Sequence, residues 1–374
     1  MIKRYLTEQI KEDMADKMVF IGGPRQAGKT TLAQSLGPNE CYLNWDYSID
    51  RSRILKQQLP DTKIWIFDEI HKYKKWRNYI KGLYDKFKND KTILVTGSAR
   101  LDLLRRGGDS LQGRYHFLRL YPLTIDELDT DQKTLDRLFK LSGFPEPFLT
   151  GSPKKAKRWS NEYRQRVLED DINTVEQIED LGKAEHLLLN LPERVGSPLS
   201  LNSLREDLDV SHRAVKRWIE LFENFYAIFT IKPFGAKGLR SLKKERKHYH
   251  FDWTLIEDNG YRFECLLACH LIKRIHFIND SQGRRLDLNY FRDTDKREVD
   301  FVITENQKPI LFIESKFSDS NISPQLKYLK RKFKTVPAYQ VHYAGNKEFH
   351  DANEDIRVIS ALSFLTKDLF KILV

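Results

Sequence analysis

The sequence predicts an α/β fold, with a mostly parallel sheet and helical crossovers in its first part, on three observations. Gly23-Pro24-Arg25-Gln26-Ala27-Gly28-Lys29-Thr30 fits the pattern G-x-x-x-x-G-K-[ST] without a mismatch. Lys63-Ile64-Trp65-Ile66-Phe67 is an apolar run ending in Asp68-Glu69, the pattern of a buried parallel strand whose carboxyl end faces a ligand. Trp76, Ile80, Leu83, Tyr84 and Phe87 recur at helical spacing before the next apolar run, Thr92-Ile93-Leu94-Val95, which supplies a crossover between strands.

Taken in order, Met18-Val19-Phe20-Ile21 reads as a short buried strand. Thr30 to Leu36 reads as a helix stopped by Gly37-Pro38. A strand, loop and helix of this kind turn backbone N–H groups inward at the positive end of a helix dipole, which suits an anion. Gly23, Arg25, Gln26, Ala27, Gly28, Lys29, Thr30 and Thr31 are therefore the expected cradle for a nucleotide. Lys29 would reach the β- and γ-phosphates, and the Thr30 hydroxyl would hold Mg²⁺. Asp68 is the second expected Mg²⁺ partner, and Glu69 the group that polarises an attacking water. Further strands are expected at Cys41 to Trp45, Thr92 to Val95 and Tyr115 to Leu120. Thr96 and Ser98 would sense the γ-phosphate. Arg100, Arg105, Arg106 and Arg114 follow, and read either as an arginine finger or as a solvated basic face; Arg114 is the one counted with the nucleotide site.

Bulk properties set the outer limits. A chain of 374 residues holds two or three domains, each large enough for its own core. The net charge of +11 favours an anionic partner without identifying it; the expected partner is a nucleic acid, DNA ahead of RNA. The first residues lack an apolar signal core and no stretch is long enough to span a bilayer, so a cytoplasmic protein without a membrane partner is expected. The 3 cysteines do not make a disulfide framework; Cys265 and Cys269 share a helix face without a second ligand pair and read as buried thiols.

The expected domains are 1–140 around the glycine-rich loop, a helical connector over 141–197, a helix-turn-helix over 198–253 and a final α/β domain over 254–374. In the third, Ser200 and Ser211 cap two helices separated by Asp209-Val210. Val215, Trp218, Leu221, Phe222 and Phe225 form the apolar stripe of the second helix and leave Arg213, Lys216 and Arg217 outward. Strands over Tyr226 to Ile231 and His248 to Phe251 would flank a basic loop from Gly238 to Lys247, completing a winged helix-turn-helix. Its two readings are a recognition helix in a major groove and a module packed between domains.

In the last domain, Glu298 to Ile303 and Ile310 to Lys316 read as a strand hairpin. Alternation puts Glu314 and Lys316 on one face and Ser315 on the other, with Asp300 in reach across the hairpin. Paired carboxylates repel, which Mg²⁺ or Mn²⁺ would relieve, and Lys316 could then orient a water. Glu264 is a further expected metal ligand, so the expected set is Glu264, Asp300 and Glu314 for metal, and Asp300, Glu314 and Lys316 for catalysis. Gln325 and Lys327 are the expected reach to a scissile phosphate.

The chain resembles a prokaryotic group of P-loop ATPases of the archaeal-ATPase, AAA type with an additional strand, followed by a C-terminal domain of formerly unknown function. Gly23 to Thr31, Phe67-Asp68-Glu69-Ile70-His71, Thr96-Gly97-Ser98, Leu111-Gln112-Gly113-Arg114, Pro122-Leu123, Gly143-Phe144-Pro145, Phe263-Glu264, Glu298-Val299-Asp300-Phe301 and Glu314-x-Lys316 carry the resemblance. It implies ATP and Mg²⁺ binding, a winged helix, and a restriction-endonuclease-like fold similar to PD-(D/E)xK nucleases. Ser315 stands where such proteins often carry valine. The two functions in play are an ATPase coupled to a metal-dependent nuclease, and an ATP-operated switch whose nuclease-like domain is chemically silent. Oligomerisation is compatible with both.

Overall fold

The computed structural model describes residues 2–97, 111–172, 180–235 and 246–373, and divides into two compact units. The first unit is Met1–Pro122 with Asn224–Tyr226; the second is Leu123–Glu223 with Ala227–Val374.

Apolar runs without alternation build the sheet of the first unit, as burial on both faces requires. Its strands are β1 (Met18–Gly22), β2 (Tyr42–Asn44), β3 (Ile64–Asp68), β4 (Thr92–Thr96) and β5 (Tyr115–Arg119). Their order is β2-β3-β4-β1-β5 and every pairing is parallel. The strand after Asp68 in sequence, β4, thus lies between β1 and β3, so the glycine-rich loop and Asp68 emerge two strands apart on the same edge. Phe20, Trp65, Phe67, Trp76 and Ile80 form the buried core beneath them. The helix Trp76–Phe87 contributes Trp76, Ile80 and Leu83 to it, the stripe its spacing predicted.

The second unit is organised by a nine-stranded sheet. It comprises β6 (Pro198–Leu199), β7 (Ile228–Pro233), β8 (Arg246–His250), β9 (Leu286–Arg292), β10 (Glu298–Glu305), β11 (Lys308–Lys316), β12 (Ala338–His342), β13 (Phe349–Asp351) and β14 (Ile356–Ser360), in the order β13-β14-β12-β11-β10-β9-β7-β8-β6. β9, β10 and β11 are an antiparallel meander, and β12 joins β11 in parallel after the helix Pro324–Lys332. The helix Asn259–Gln282 precedes the meander and is buried through Phe263, Leu266, Leu267 and Leu271 among others.

Before the chain reaches β7, Leu201–Leu208 and His212–Asn224 are helices, each started as expected: the Ser200 hydroxyl accepts from Ser203 N at 3.3 Å and that of Ser211 from Ala214 N at 3.1 Å. Asp209 turns the chain with φ 50°. Val215, Trp218, Ile219, Leu221 and Phe222 are buried on the second helix, while Arg213, Lys216 and Arg217 are exposed. β8 pairs with both β6 and β7, and β7 pairs in parallel with β9, so this small sheet runs on into the large one. Strand pairing thus continues through the sequence boundary between the two carboxyl-terminal regions, both of which lie in the second compact unit.

Candidate functional site

The glycine-rich loop closes over the end of β1. Gly23 has φ 141°, and a Cβ there would stand 2.1 Å from the Leu120 carbonyl oxygen, so no other residue fits. Gln26 at φ 59° and Gly28 at φ 94° take left-handed conformations that turn the chain inward before the helix Lys29–Gln34 begins. The Gln26 side-chain oxygen is buried without a hydrogen-bond partner. Lys29 is buried, and its ammonium donates to the carbonyls of Gly23 at 3.0 Å and Pro24 at 2.6 Å. Arg25 is half-buried on the loop and Thr31 is exposed on the helix after it.

Asp68 gathers the polar groups from the neighbouring strand ends. Its Oδ2 accepts from the Thr30 hydroxyl at 2.9 Å and the Tyr42 hydroxyl at 2.5 Å, and its Oδ1 accepts from the Thr96 hydroxyl at 2.5 Å. The β3–β4 register, Asp68 opposite Thr96, explains the last contact. Burial first, and then the Asp68 carboxylate, push the Tyr42 hydroxyl above its ordinary pKa, so it stays a donor. The next residue, Glu69, is left-handed at φ 56°, a conformation that costs a non-glycine residue about 1 kcal/mol or more and that here redirects the chain at the strand end. Its N–H donates to the Thr96 carbonyl at 3.0 Å, and its carboxylate lies 3.6 Å from His71 and 3.3 Å from Lys72. Burial alone would raise its pKa, but His71, Lys72 and Lys29 outweigh it and hold Glu69 below the usual value, ionised. Tyr42 carries no sequence signal for its contact, which depends on β2 lying beside β3, whereas His71 and Lys72 follow Glu69 in the same turn.

These residues fit Mg·ATP: a backbone cradle that excludes a Cβ, an ammonium at its rim, and a hydroxyl paired to a carboxylate. Two other expected residues remain. Ser98 lies outside the described residues. Arg114 is not at the loop. Met18 of β1 pairs with Tyr115, and Met18 N donates to the Arg114 carbonyl, which puts Arg114 at the amino-terminal end of the strands while the loop follows their carboxyl-terminal end. Its guanidinium instead pairs with Asp85 at 2.8 Å.

The carboxylates of the C-terminal domain form a second polar centre, in which one expected contact is met and others are replaced. Lys316 Nζ donates to Glu314 Oε1 at 2.8 Å. Asp300 Oδ2 accepts from the backbone N–H of Ser315 at 2.8 Å and from its hydroxyl at 2.6 Å. Ser315 is thus a direct partner of Asp300 rather than a bystander on the opposite face. Lys247, expected in a solvated basic loop, is fully buried in β8. Its ammonium lies 2.6 Å from Glu298, 3.3 Å from Glu264 and 3.9 Å from Asp300. The Tyr249 hydroxyl donates to the same Glu264 oxygen at 2.7 Å. Residues 238–245 of the expected basic loop lie outside the described residues.

Among the described residues no group of three or more His, Cys, Asp or Glu side chains stands together to hold a metal ion. Glu264 is engaged by Lys247 and Tyr249, Asp300 by Ser315 with Lys247 3.9 Å away, and Glu314 by Lys316. The residues present do not fit the expected divalent cation. Glu314 is held up to about 7, chiefly by burial and next by Asp300, and its Oε2 is buried without a hydrogen-bond partner. Burial likewise raises Glu264, with Lys247 opposing. On the following helix, Lys327 is turned to Glu354 at 3.9 Å and Gln325 accepts from the Ser323 hydroxyl at 3.0 Å. The Cys265 and Cys269 thiols are buried and both donate to the His250 carbonyl.

Comparison with known proteins bears on the domain that carries the first site. Residues 15–129 match the family described as AAA domain. The N-terminal part is an AAA-type, P-loop ATPase-like domain. Residues 132–257 and 259–364 match two families described as domains of unknown function, DUF8612 and DUF4143. An uncharacterised protein of Haemophilus influenzae is 24% identical over 89% of this chain and 92% of its own length. Uncharacterised proteins of Mycobacterium bovis and Mycobacterium tuberculosis are each 25% identical over 64% of this chain, which spans only 55% of their length. A crystal structure of a Signal Transduction ATPase with Numerous Domains protein with a tetratricopeptide repeat sensor, from Pyrococcus horikoshii, covers 76% of this chain and 48% of its own at 15% identity, with a TM-score of 0.25 that supports no argument. No helix among the described residues is long and apolar enough to cross a membrane.

Proposed function

We propose that this protein binds Mg·ATP at Lys29, Thr30 and Asp68, hydrolyses it with Glu69, and uses the cycle to operate a nucleic-acid-binding C-terminal part. The observation that carries the first step is the chain of contacts from Thr30 through Asp68 to Thr96 beside the buried Lys29. Magnesium, when bound, would offset charge on the phosphates. Lys29 exchanges its loop carbonyls for phosphate oxygens, and the ionised Glu69 accepts a hydrogen bond from the attacking water. The cradle from Gly23 to Thr31 supplies N–H donors through its left-handed turns. Lys29→Ala should abolish nucleotide binding, whereas Glu69→Gln should keep it and lose turnover, because only the latter removes water activation. Unchanged affinity in Lys29→Ala would refute the assignment.

The region from β6 to β8 supports a winged helix reading: two capped helices, a three-stranded sheet in the order β6-β8-β7, and an outward basic face of Arg213, Lys216 and Arg217. Duplex DNA is the partner this face suits. Reversing the three charges should weaken binding and flatten its salt dependence, since each neutralised phosphate releases counterions. Equal binding by the triple variant, or a preference for RNA, would count against it.

The order helix, β9-β10-β11 meander, helix, β12 supports a nuclease-like fold for the last domain. Of the two readings for its chemistry, cleavage by Asp300, Glu314 and Lys316 or a silent domain in an ATP-operated switch, the ion pairs of Lys247 favour the second. Nicking of plasmid DNA that requires Mn²⁺ and disappears in Asp300→Ala would favour the first.

A further inference from the structure

Lys247 is the feature of the second unit that none of these functions uses. Burial of an ammonium is costly unless it is paired, and this one is paired more than once. Its neighbours come from two separated stretches of sequence: Glu264 from the helix Asn259–Gln282, and Glu298 and Asp300 from β10. Tyr249, two residues on in the same strand, donates to Glu264, and Arg292 holds the other oxygen of Glu298 at 3.0 Å. The Tyr290 ring lies 5.5 Å from the ammonium, on its apolar side. On the far side of Asp300, the Ser315 N–H and hydroxyl take up the carboxylate oxygen that Lys247 does not face. Glu264 Oε1, both oxygens of Glu298 and both of Asp300 are thus directed at a protein donor or cation.

We infer that the Lys247 ammonium stands in place of a divalent cation, so that the carboxylate centre of Glu264, Glu298 and Asp300 is closed to metal and serves to tie β8 to β10 and the helix Asn259–Gln282. A charge of +1 on a side chain replaces +2 on an ion, and the shortfall is met by Arg292 on Glu298 and by neutral donors on Glu264 and Asp300. This rests on the silent reading of the nuclease-like domain, and it makes a sharper statement: the same residues become a metal site when one atom, Nζ, is removed. Lys247→Met keeps an unbranched apolar stem as far as Cε and deletes the ammonium.

The test is Mn²⁺ binding by the nucleotide-free full chain, read by the electron paramagnetic resonance signal of free Mn²⁺, in wild type, Asp300→Asn, Lys247→Met and the double variant. Asp300→Asn subtracts whatever Mn²⁺ binds at Asp68. The expected result is equal binding by wild type and Asp300→Asn, with Lys247→Met gaining one site that the double variant lacks, an affinity increase of at least about tenfold over wild type. Asp300-dependent Mn²⁺ binding by wild type overturns the inference, and so does a folded Lys247→Met chain that gains no site. If Lys247→Met does not fold, the comparison of wild type with Asp300→Asn still decides. Loss of ATP binding in Lys29→Ala is measured separately and is unaffected by any of these outcomes. Failure of the lysine inference with silent plasmid assays would leave the switch reading standing, whereas Asp300-dependent nicking would remove both.

Discussion

Glu314→Gln should make the second unit more stable at alkaline pH and leave it unchanged at acid pH. Burial, then Asp300, raise this carboxyl to about 7 from an ordinary value of 4.5, a difference worth about 3 kcal/mol at 1.36 kcal/mol per pH unit. An acid with a raised folded pKa binds more protons in the folded chain than in the unfolded one. Its contribution is therefore complete below about pH 4.5 and is lost as the pH rises through about 7. Glutamine retains the shape and an acceptor for Lys316, which at 35% side-chain exposure reaches water without its partner. The variant should match wild type near pH 4.5 and exceed it by up to about 3 kcal/mol near pH 8. Buried His248 and His270, each lowered to about 4 mainly by burial, titrate identically in both proteins and cancel in the difference. The measurement is urea unfolding at each pH, followed by hydrogen-exchange protection of the peptide 298–316. A difference that stays constant within about 0.5 kcal/mol across that range would show that Glu314 is ionised in the fold throughout, and the argument from its burial would fail.

Three other substitutions probe contacts found here. Gly23→Ala should cost roughly 2–4 kcal/mol in thermal unfolding and impair ATP binding, because the new Cβ meets the Leu120 carbonyl at 2.1 Å and φ is 141°. Tyr42→Phe should destabilise the first unit by about 1–3 kcal/mol, the worth of a hydrogen bond to a carboxylate, while ATP still protects it in a thermal-shift assay. Ser315→Val should lose about 1 kcal/mol and not more, measured by urea unfolding, since Asp300 keeps the backbone N–H at 2.8 Å when the hydroxyl at 2.6 Å is gone.

What was legible in the sequence was local. The loop from Gly23 to Thr30, the strand before Asp68, the caps Ser200 and Ser211 and the stripe of the helix His212–Asn224 all follow from spacing and residue type. What was not legible depends on which distant strand lies alongside. Arg114 follows Thr96 closely in sequence but returns to the start of β1, because parallel strands carry the chain back to the same end before each begins. Lys247 stands in a run of basic residues, and nothing in that run announces that Glu264, Glu298 and Asp300 will converge on it. Period-two alternation placed Ser315 away from Asp300, yet the Asp300 carboxylate reaches the Ser315 N–H and the hydroxyl beside it.

The parallel pairing of β7 with β9, Lys232 opposite Asn289 and Pro233 opposite Tyr290, crosses the sequence boundary between the two families of unknown function. Two segments that are separable as text are therefore inherited as one object. A recombination that exchanged either half for a foreign one would leave an unpaired strand edge on each piece. It would also strand a buried ammonium without acids in one descendant and buried acids without an ammonium in the other. Partner choice at this seam is written into charge, so the two halves are expected to travel together through evolution and to change at Lys247, Glu264, Glu298 and Asp300 in concert.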